Sequence, residues 1–186
     1  MIHYTRVQTF RDLESIKSLQ EKNLKQNLLP EEKLDQGFLT AEYSLSFLEK
    51  MNRACPSFLA KHGEDLVGYA LVADPLIRED HDLLKDLFER IDETQYLGTF
   101  LRDSRYIVVG QLCVDKSYSG QGIAQNLYKE FKKALHKEYE YCVTDIAEEN
   151  HRSLKTHLTA GFKIIGNLSF SGNAFKMVLW DWNQSH

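Results

Sequence analysis

Two closely spaced glycines, Gly120 and Gly122, stand between an apolar segment at 106–114 and a run of residues with helical periodicity. Glycine allows the left-handed backbone and the close ligand approach that a tight strand-to-helix turn requires. The first N–H groups of a helix lack intrahelical acceptors and lie at the positive end of the helix dipole. The turn is therefore predicted to bind an anion, and a phosphate or pyrophosphate fits it best.

Two common phosphate-binding loops do not match this turn. A dinucleotide-binding fingerprint needs a third small residue at position 125, where this chain has glutamine, and it usually lies in the first strand–helix unit. A nucleotide-hydrolase loop needs Gly-Lys-Ser/Thr after its glycines, and this turn lacks that sequence. The turn therefore belongs to neither class of nucleotide site.

A second set of residues follows further along the chain, with the spacing Asn150-x-x-Ser153-x-x-x-His157-x-x-x-Gly161-Phe162. Together the two motifs resemble the GNAT family of N-acetyltransferases. Members carry Arg/Gln-x-x-Gly-x-Gly/Ala after a strand and Asn-x-x-Ala/Ser-x-x-x-Tyr/His-x-x-x-Gly-Phe further on. The segment 119–124, Ser-Gly-Gln-Gly-Ile-Ala, matches the first pattern except at Ser119, where the family has arginine or glutamine.

The resemblance implies a GNAT fold, in which a central mixed β-sheet of about seven strands has helices on both faces. It also implies acetyl-CoA as cosubstrate, no metal, and direct acetyl transfer to an amine. By resemblance, the N–H groups of residues 119–124 hold the pyrophosphate of CoA, and the main chain beside Leu112 and Val114 contacts the pantetheine arm. The cofactor-binding residues implied are Leu112, Val114, Ser119, Gly120, Gln121, Gly122, Ile123, Ala124, Asn150 and Ser153.

His157 is the catalytic residue that the resemblance implies. Many members have a tyrosine here, near the cofactor sulfur, and histidine is associated with amino-acid acetyltransferases such as the phosphinothricin type. A histidine with a pKa near 6.5 can donate a proton to a leaving thiolate or orient a water. The alternative is a helix histidine that only packs beside CoA or caps a carbonyl. Asn150 has a similar alternative, because asparagine commonly caps helix N-termini.

No general base is evident from the sequence. Asp145 is an acid within an otherwise apolar predicted strand, and a buried acid has a partner or a raised pKa. A catalytic role for Asp145 stands against a structural hydrogen bond to a neighbouring loop, which is the more common arrangement. Cys113 and Cys142 lie in predicted core strands, where apolar neighbours favour an inert thiol over a nucleophile.

Residues 76–104 form a connection too long for a turn, and we expect a helical insertion there. The acids are Glu79, Asp80, Asp82, Asp86, Glu89, Asp92, Glu93 and Asp103, and the bases are Arg78, Lys85, Arg90 and Arg102. In this family the acceptor enters near the first helices and adjoining loops, and an acidic wall there would attract a cationic amine. A charged helix face is, however, usually only solvated.

The composition is that of an ordinary globular protein, with 42% hydrophobic and 27% charged residues in a chain of 186. A net charge of −4 without a strongly basic face argues against a nucleic-acid partner. No apolar run approaches the roughly 20 residues that span a bilayer, and no signal peptide begins the chain. Three cysteines, an odd number without metal-ligand spacing, fit reduced thiols. We expect a cytoplasmic protein with no metal and no membrane partner.

The elements that must position these residues follow from periodicity and turn signals. Strands are predicted over residues 2–8, 57–62, 65–73, 106–114, 141–147, 162–168 and 174–180. A first helix is predicted after a capping signal at Thr9, and a second helical region breaks near Pro30, resumes near Thr40 and ends before Pro56. Further helices are predicted at about 79–92, from Ile123 to Leu135, and over 150–160, the last ended by Gly161 as a C-terminal cap. The buried stripes expected on the first two are Leu84, Leu87, Phe88 and Ile91, and Ile123, Leu127, Phe131 and Leu135. This order predicts a mixed α/β sheet.

The predicted function is acetyl-CoA-dependent acetylation of a primary amine of a small molecule, an amino acid or related metabolite, by one domain over residues 1–186. One alternative is a protein N-terminal or lysine acetyltransferase, and another is a non-catalytic acyl-CoA-binding module. A small-molecule enzyme should enclose its acceptor in a pocket, whereas a peptide enzyme should have an open groove. A homodimer that pairs the two closing strands is a further expectation.

Overall fold

Residues 1–184 are described by a computed structural model of the protein. The strands are β1 (Ile2–Arg6), β2 (Phe58–His62), β3 (Asp65–Ala73), β4 (Gln95–Tyr96), β5 (Thr99–Phe100), β6 (Tyr106–Val114), β7 (Tyr141–Ala147), β8 (Lys163–Phe170) and β9 (Asn173–Asp181). The α-helices are α1 (Phe10–Asn23), α2 (Pro30–Gln36), α3 (Leu45–Ala54), α4 (Asp82–Glu93), α5 (Ile123–Leu135) and α6 (His151–Ala160). Short 3₁₀ helices lie at Lys25–Asn27, Pro75–Asp80, Leu101–Asp103 and Lys116–Tyr118.

The main sheet has seven strands in the order β1-β2-β3-β6-β7-β9-β8. β6 and β7 are parallel, and the other neighbours are antiparallel. The predicted fold class, a mixed sheet of about seven strands with helices on both faces, is confirmed. β4 and β5 form a small separate ladder that the sequence analysis missed. Its turn places Leu97 and Gly98 at positive φ, 51° and 84°.

The sheet separates two apolar cores. On one face, α1, α3 and α4 bury residues such as Ile16, Leu48 and Phe88 against the strands. On the other face, α5 buries Leu127 and Phe131. The helical stripes predicted from spacing are therefore the buried ones, including the stripe of the 76–104 segment, whose members are Leu84, Leu87, Phe88 and Ile91.

Two capping predictions are confirmed. Thr9 and Asp12 form a reciprocal capping box at the start of α1, and Gly161 ends α6 with a left-handed φ of 112°. The predicted resumption of a helix near Thr40 is wrong. α2 begins at Pro30, because proline suits the first helical position, and it ends at Gly37. The chain then runs without helix until Ser44 caps α3.

Candidate active site

The parallel strands β6 and β7 diverge in the middle of the sheet. Their register extends only from Tyr106–Tyr141 to Val108–Val143, although both strands continue. The pairing of β6 with β3 also shifts here, which leaves Gly110 as a bulged residue. Thr144 Oγ1 donates to the Val109 carbonyl at 2.8 Å, so this main-chain carbonyl beside the gap accepts a hydrogen bond from a side chain. The divergence exposes strand edges inside the protein.

Glycine is required at two places in the turn that follows β6. Gly120 and Gly122 have φ angles of 78° and 73°, which residues with a Cβ atom rarely adopt. The first helical hydrogen bond of α5 runs from Asn126 N to Gly122 O at 3.0 Å. The N–H groups of residues 123–125 therefore have no acceptor within the helix and point toward the turn. The turn and the helix N-terminus that the glycine spacing predicted are therefore present, and anion binding there stays a prediction.

A cleft of about 300 Å³ lies over this turn, between the N-terminus of α5, α6 and the segment 37–39. The predicted cofactor-binding residues that line it are Leu112, Val114, Ser119, Gly120, Gly122, Ile123, Ala124, Asn150 and Ser153. Gln121 is exposed and is not part of the cleft wall. The structure thus brings two motifs, separated in sequence by a helix and a strand, to one surface.

Arg152 is a cleft residue that the sequence analysis missed. It lies in the first turn of α6, lines the cleft and donates a hydrogen bond to Ser119 Oγ. Ser119 stands where the family motif has arginine or glutamine, so the structure brings a guanidinium to that position from another helix. A cation near a helix N-terminus destabilises the helix. The position of Arg152 in the sequence could therefore have marked it as a candidate functional residue.

Asn150 holds α6 and the segment 37–39 together. Its Oδ1 accepts from Ser153 N at 3.3 Å, so it is the N-cap residue of α6. Its Nδ2 donates to the Phe38 carbonyl at 2.8 Å. A Cβ on Gly37 would come within 2.8 Å of Oδ1, so the close packing requires glycine there. The capping alternative for Asn150 is confirmed, and its contact with a cofactor stays a prediction.

His157 is 3% exposed and bonded at both ring nitrogens. Nδ1 lies 2.8 Å from the Ser153 carbonyl, which can only accept, so Nδ1 carries the proton. Nε2 then accepts from the Tyr128 hydroxyl at 2.6 Å. Burial lowers the pKa of His157 to about 4, although the Ser153 bond opposes that shift. At neutral pH the imidazole is therefore uncharged.

A smaller cavity, of about 80 Å³, continues from the cleft into the gap between the strands. The two share wall residues, among them Leu112 and Ser153. His157 lines the smaller cavity from α6, whereas Leu83 lines it from the segment carrying α4 on the opposite face of the sheet. The cleft and the smaller cavity therefore adjoin each other at the strand gap, and the wall of the smaller cavity includes residues from both faces of the sheet.

Asp145 of β7 lines the smaller cavity. Its Oδ2 atom is buried and has no hydrogen-bond partner, so this oxygen does not make the structural bond considered as its alternative. Burial, with a smaller contribution from the negative charge of Asp86, raises the pKa of Asp145 to about 7. A carboxyl with that pKa changes protonation near neutral pH, as a general acid or base must.

A buried polar network around Gln111 fixes the segment that covers the gap. Its Oε1 accepts from Gln20 Nε2 at 3.1 Å and from the Tyr69 hydroxyl at 2.7 Å. Its Nε2 donates to the Ala41 carbonyl at 2.8 Å. Tyr43 adds a bond from its hydroxyl to the carbonyl of the bulged Gly110 at 2.9 Å. Sequence periodicity gave no indication of this network, because its members come from separate elements.

Cys113 and Cys142 are buried free thiols whose pKa values are raised by burial, consistent with inert core cysteines. Within residues 1–184, no group of three or more His, Cys, Asp or Glu side chains is arranged to hold a metal ion. None of the helices in that part of the chain combines the length and apolarity needed to cross a membrane.

Comparison with known proteins identifies relatives of this architecture. Residues 18–162 match the model of the acetyltransferase (GNAT) family. No curated protein matches the sequence significantly. The NatC complex bound to Gag peptide and CoA has a similar chain, with a TM-score of 0.66 and 15% identity over 97% of this chain and 98% of that one.

Two bacterial structures are also similar. The ribosomal-protein-S18-alanine N-acetyltransferase of Escherichia coli has a TM-score of 0.64 and 11% identity over 100% of this chain and 97% of that one. The yncA protein of Salmonella typhimurium, solved with its cofactor acetyl-CoA, has a TM-score of 0.64 and 12% identity over 100% and 96%. At these identities the likeness shows a shared fold.

Proposed function

The chain belongs to the GNAT family of acetyltransferases, and we propose that it transfers the acetyl group of acetyl-CoA to the primary amine of a small molecule. An amino acid or a related metabolite is the acceptor class that the His157 resemblance favours. One observation carries this proposal: the cleft over the glycine turn adjoins, at the strand gap, a second cavity that Asp145 lines. This arrangement would let a donor in the cleft and an acceptor in the second cavity meet at the gap.

The residues of the cleft fit CoA. The turn at Gly120 and Gly122 presents N–H groups at a helix N-terminus, which is a site for a pyrophosphate. Arg152 adds a guanidinium beside Ser119, and a guanidinium forms strong charge-assisted bonds to phosphate. The diverging edge of β6 near Leu112 offers main-chain groups to the amides of a pantetheine arm. We propose that these residues hold the cofactor.

Acetyl-CoA supplies a thioester whose carbonyl carbon accepts the amine nitrogen. The protein must hold the amine neutral and allow the leaving thiolate to gain a proton. We keep His157 as the proposed acid, with a specific condition. In the neutral ring only Nδ1–H can be donated, and the Ser153 carbonyl accepts it in this structure. The acid role therefore requires that contact to open when acetyl-CoA binds.

The small volume of the inner cavity, about 80 Å³, supports a small acceptor over a peptide lying in an open groove. Relatives of similar fold include a NatC chain seen with a peptide, so the protein acetyltransferase is the alternative to test. We also propose that residues 76–104 are an insertion in a single domain. In support, Leu84 and Phe88 of α4 bury in the same core as Ile16 of α1.

The proposed function is tested by measuring CoA release with acetyl-CoA and a panel of acceptors. The panel contains L-amino acids, the matching amino alcohols, spermidine, and tetrapeptides with free N-termini. Acetylation of a small amine, identified by product mass, is the expected result. Turnover of the tetrapeptides alone would replace the small-molecule assignment with the protein acetyltransferase. Binding of acetyl-CoA without any turnover would instead favour the non-catalytic module.

A further inference from the structure

The insertion at 76–104 contributes a residue to the inner cavity. Leu83, in the first turn of α4, lines that cavity together with residues of β6, β7, α6 and the segment 38–41. Of the residues described in the cavity wall, no other comes from the insertion. The insertion is therefore part of the candidate active site as well as of the core.

Leu83 differs from the other leucines of α4 in its surroundings. Leu84 and Leu87 are each 2% exposed and belong to the apolar core on this face of the sheet. Leu83 is half-buried, and within the described part of the chain it is a member of neither core. Its partial burial comes from its position in the cavity wall, so its side chain borders space that is open to a ligand.

Leu83 borders the part of the inner cavity that the cleft does not share. Leu39, Leu112 and Ser153 line both the cleft and the inner cavity, so the two spaces meet beside them. Leu83 lines the inner cavity and is not among the residues described in the cleft wall. With acetyl-CoA in the cleft, as proposed, the thioester would lie near the shared residues. The space toward Leu83 would then be left for the acceptor.

The first turn of α4 is attached to α3. Lys50 Nζ of α3 lies 2.6 Å from Asp80 Oδ1, just before α4 begins. His81, at the N-cap position of α4, packs its ring against Tyr43 and Phe47, with ring centroids 4.9 and 5.4 Å apart. These contacts limit how far the start of the helix can move, and Leu83 with it.

The last turn of α4 is attached to the sheet. Arg78 Nη1 lies 2.9 Å from Asp92 Oδ2, and the Tyr106 hydroxyl donates to Asp92 Oδ1 at 2.7 Å. Arg78 Nη2 also donates to the Tyr106 hydroxyl at 3.0 Å. Tyr106 begins β6, so this triad joins the insertion to a central strand. α4 is thus held at both ends, and Leu83 forms a fixed part of the cavity wall.

We propose that Leu83 sets the size limit of the acceptor amine by closing the inner cavity on the side that the cleft does not share. The proposal deepens the proposed function and rests on it, because the limit operates only where an amine is acetylated. It narrows the acceptor to primary amines with a short carbon chain, which fit a cavity of about 80 Å³. It also gives the insertion a role in specificity.

The size limit follows from packing. A side chain on a fixed helix cannot move aside without strain, so an amine that is too long is excluded by steric repulsion. Leu83→Ala removes the outer carbons of the side chain and leaves space in their place. One methylene group changes kcat/KM by about 10-fold or more in an apolar enzyme pocket. Chain-length preference is therefore a sensitive measure of this part of the wall.

The test measures kcat/KM with acetyl-CoA for two homologous series. One contains ethylamine, butylamine and hexylamine, and the other contains L-alanine, L-norvaline and L-norleucine. In the series that is acetylated, the wild-type value should fall from the shortest to the longest member. Leu83→Ala should raise the ratio of the longest to the shortest by about 10-fold or more. Leu83→Phe places more atoms at the same wall and should lower that ratio.

Leu76→Ala is the matched control, because it removes the same atoms from the same insertion. Leu76 is 83% exposed and is not among the residues described in the cavity wall. Its ratio should equal that of the wild type. Calorimetry should give Leu83→Ala the wild-type affinity for acetyl-CoA, because Leu83 does not belong to the described cleft wall. That affinity shows that the variant is folded and that its cofactor cleft is intact.

Three results would overturn the inference while leaving amine acetylation in place. The first is an unchanged ratio in both Leu83 variants, and the second is an equal change in Leu76→Ala. The third is an altered preference among acetyl-, propionyl- and butyryl-CoA without any change among the amines, which would assign the wall to the acyl group. A wild-type protein that releases no CoA with any amine would instead overturn the proposed function, and this inference with it.

Discussion

Replacing Asp145 with asparagine should stabilise the protein, and the gain should increase with pH. Asparagine has nearly the same shape but no charge to bury. In the wild type, the pKa of Asp145 rises from 3.8 to about 7 on folding, because burial disfavours the carboxylate. A raised pKa means that the folded state holds the proton more tightly than the unfolded state. The carboxyl therefore contributes stability below pH 3.8, and that contribution is lost as the pH rises through 7.

The magnitude follows from the two pKa values. Relative to an uncharged side chain, ionisation of Asp145 should cost the folded state about 2 kcal/mol at pH 5 and about 4 kcal/mol at pH 8. Other titrating groups are present in both proteins and cancel in the comparison. The free energy of unfolding of Asp145→Asn minus that of the wild type should therefore rise by about 2–3 kcal/mol between these pH values.

Urea denaturation of both proteins at pH 5 and pH 8, followed by circular dichroism, measures this difference. Glu64→Gln is a matched control, because it makes the same chemical change at an exposed position in the turn between β2 and β3. Its difference from the wild type should stay small at both pH values. If the Asp145→Asn difference were the same at pH 5 and pH 8, the carboxyl would not be held in the environment described.

Further variants test the rest of the site. Arg152→Ala should weaken acetyl-CoA binding by about 10-fold, and Arg152→Lys by less, because the guanidinium near Ser119 is assigned to the phosphates. Calorimetry at low and high salt should show that the difference in binding free energy between wild type and variant decreases as salt is added. His157→Phe should lower the free energy of unfolding, measured by denaturation, by about 1–3 kcal/mol, because it leaves the buried Tyr128 hydroxyl unpaired. An unchanged kcat in that variant would contradict the acid role of His157. Gln111→Leu should raise KM for the amine more than Kd for acetyl-CoA, because it removes the hydrogen bonds that hold the segment carrying Ala41 over the inner cavity. Equal effects on KM and Kd would contradict this assignment.

The parts of this structure that could be predicted from the sequence are those set by local rules. Helical spacing gave the buried stripes of α4 and α5, and the left-handed glycines were expected at Gly122 and Gly161. The anion turn depends on the same local geometry. The two sequence motifs, at 119–124 and 150–162, occur in the order that the family resemblance implies, so their meeting at one cleft was also expected.

The missed features depend on contacts between distant segments. Arg152 reaches Ser119 across 33 positions of sequence, and Gln111 joins Gln20 and Ala41 across 91 and 70 positions. Hydrophobic periodicity contains no information about such polar pairs. The helical region is predicted to resume near Thr40, but α3 begins only at Leu45. The positive φ of Gly37 ends one helix, and the Ser44 cap sets the start of the next.

The status of Asp145 was undecidable from the sequence for a related reason. An acid in an apolar strand fits both a buried hydrogen bond, which is the more common arrangement, and a functional carboxyl. Only the fold shows that Met177 lies opposite, that Oδ2 lacks a partner, and that a cavity reaches the side chain. The sequence identified the residue, and the tertiary environment distinguishes its roles.

The central claim is that the turn at Gly122 binds the cofactor, and calorimetric titration with acetyl-CoA tests it most directly. The wild type should be compared with Gly122→Arg and with Gly63→Arg. Both glycines have positive φ, 73° and 61°, and a Cβ on either would meet no atom within 4 Å, so both variants carry a similar backbone strain. That strain is about 1–2 kcal/mol for a residue in the left-handed region. Of the two, only Gly122 lines the cleft. The account predicts micromolar binding in the wild type and Gly63→Arg, and its loss in Gly122→Arg. Absence of binding by the wild type, or equal binding by all three proteins, would contradict it.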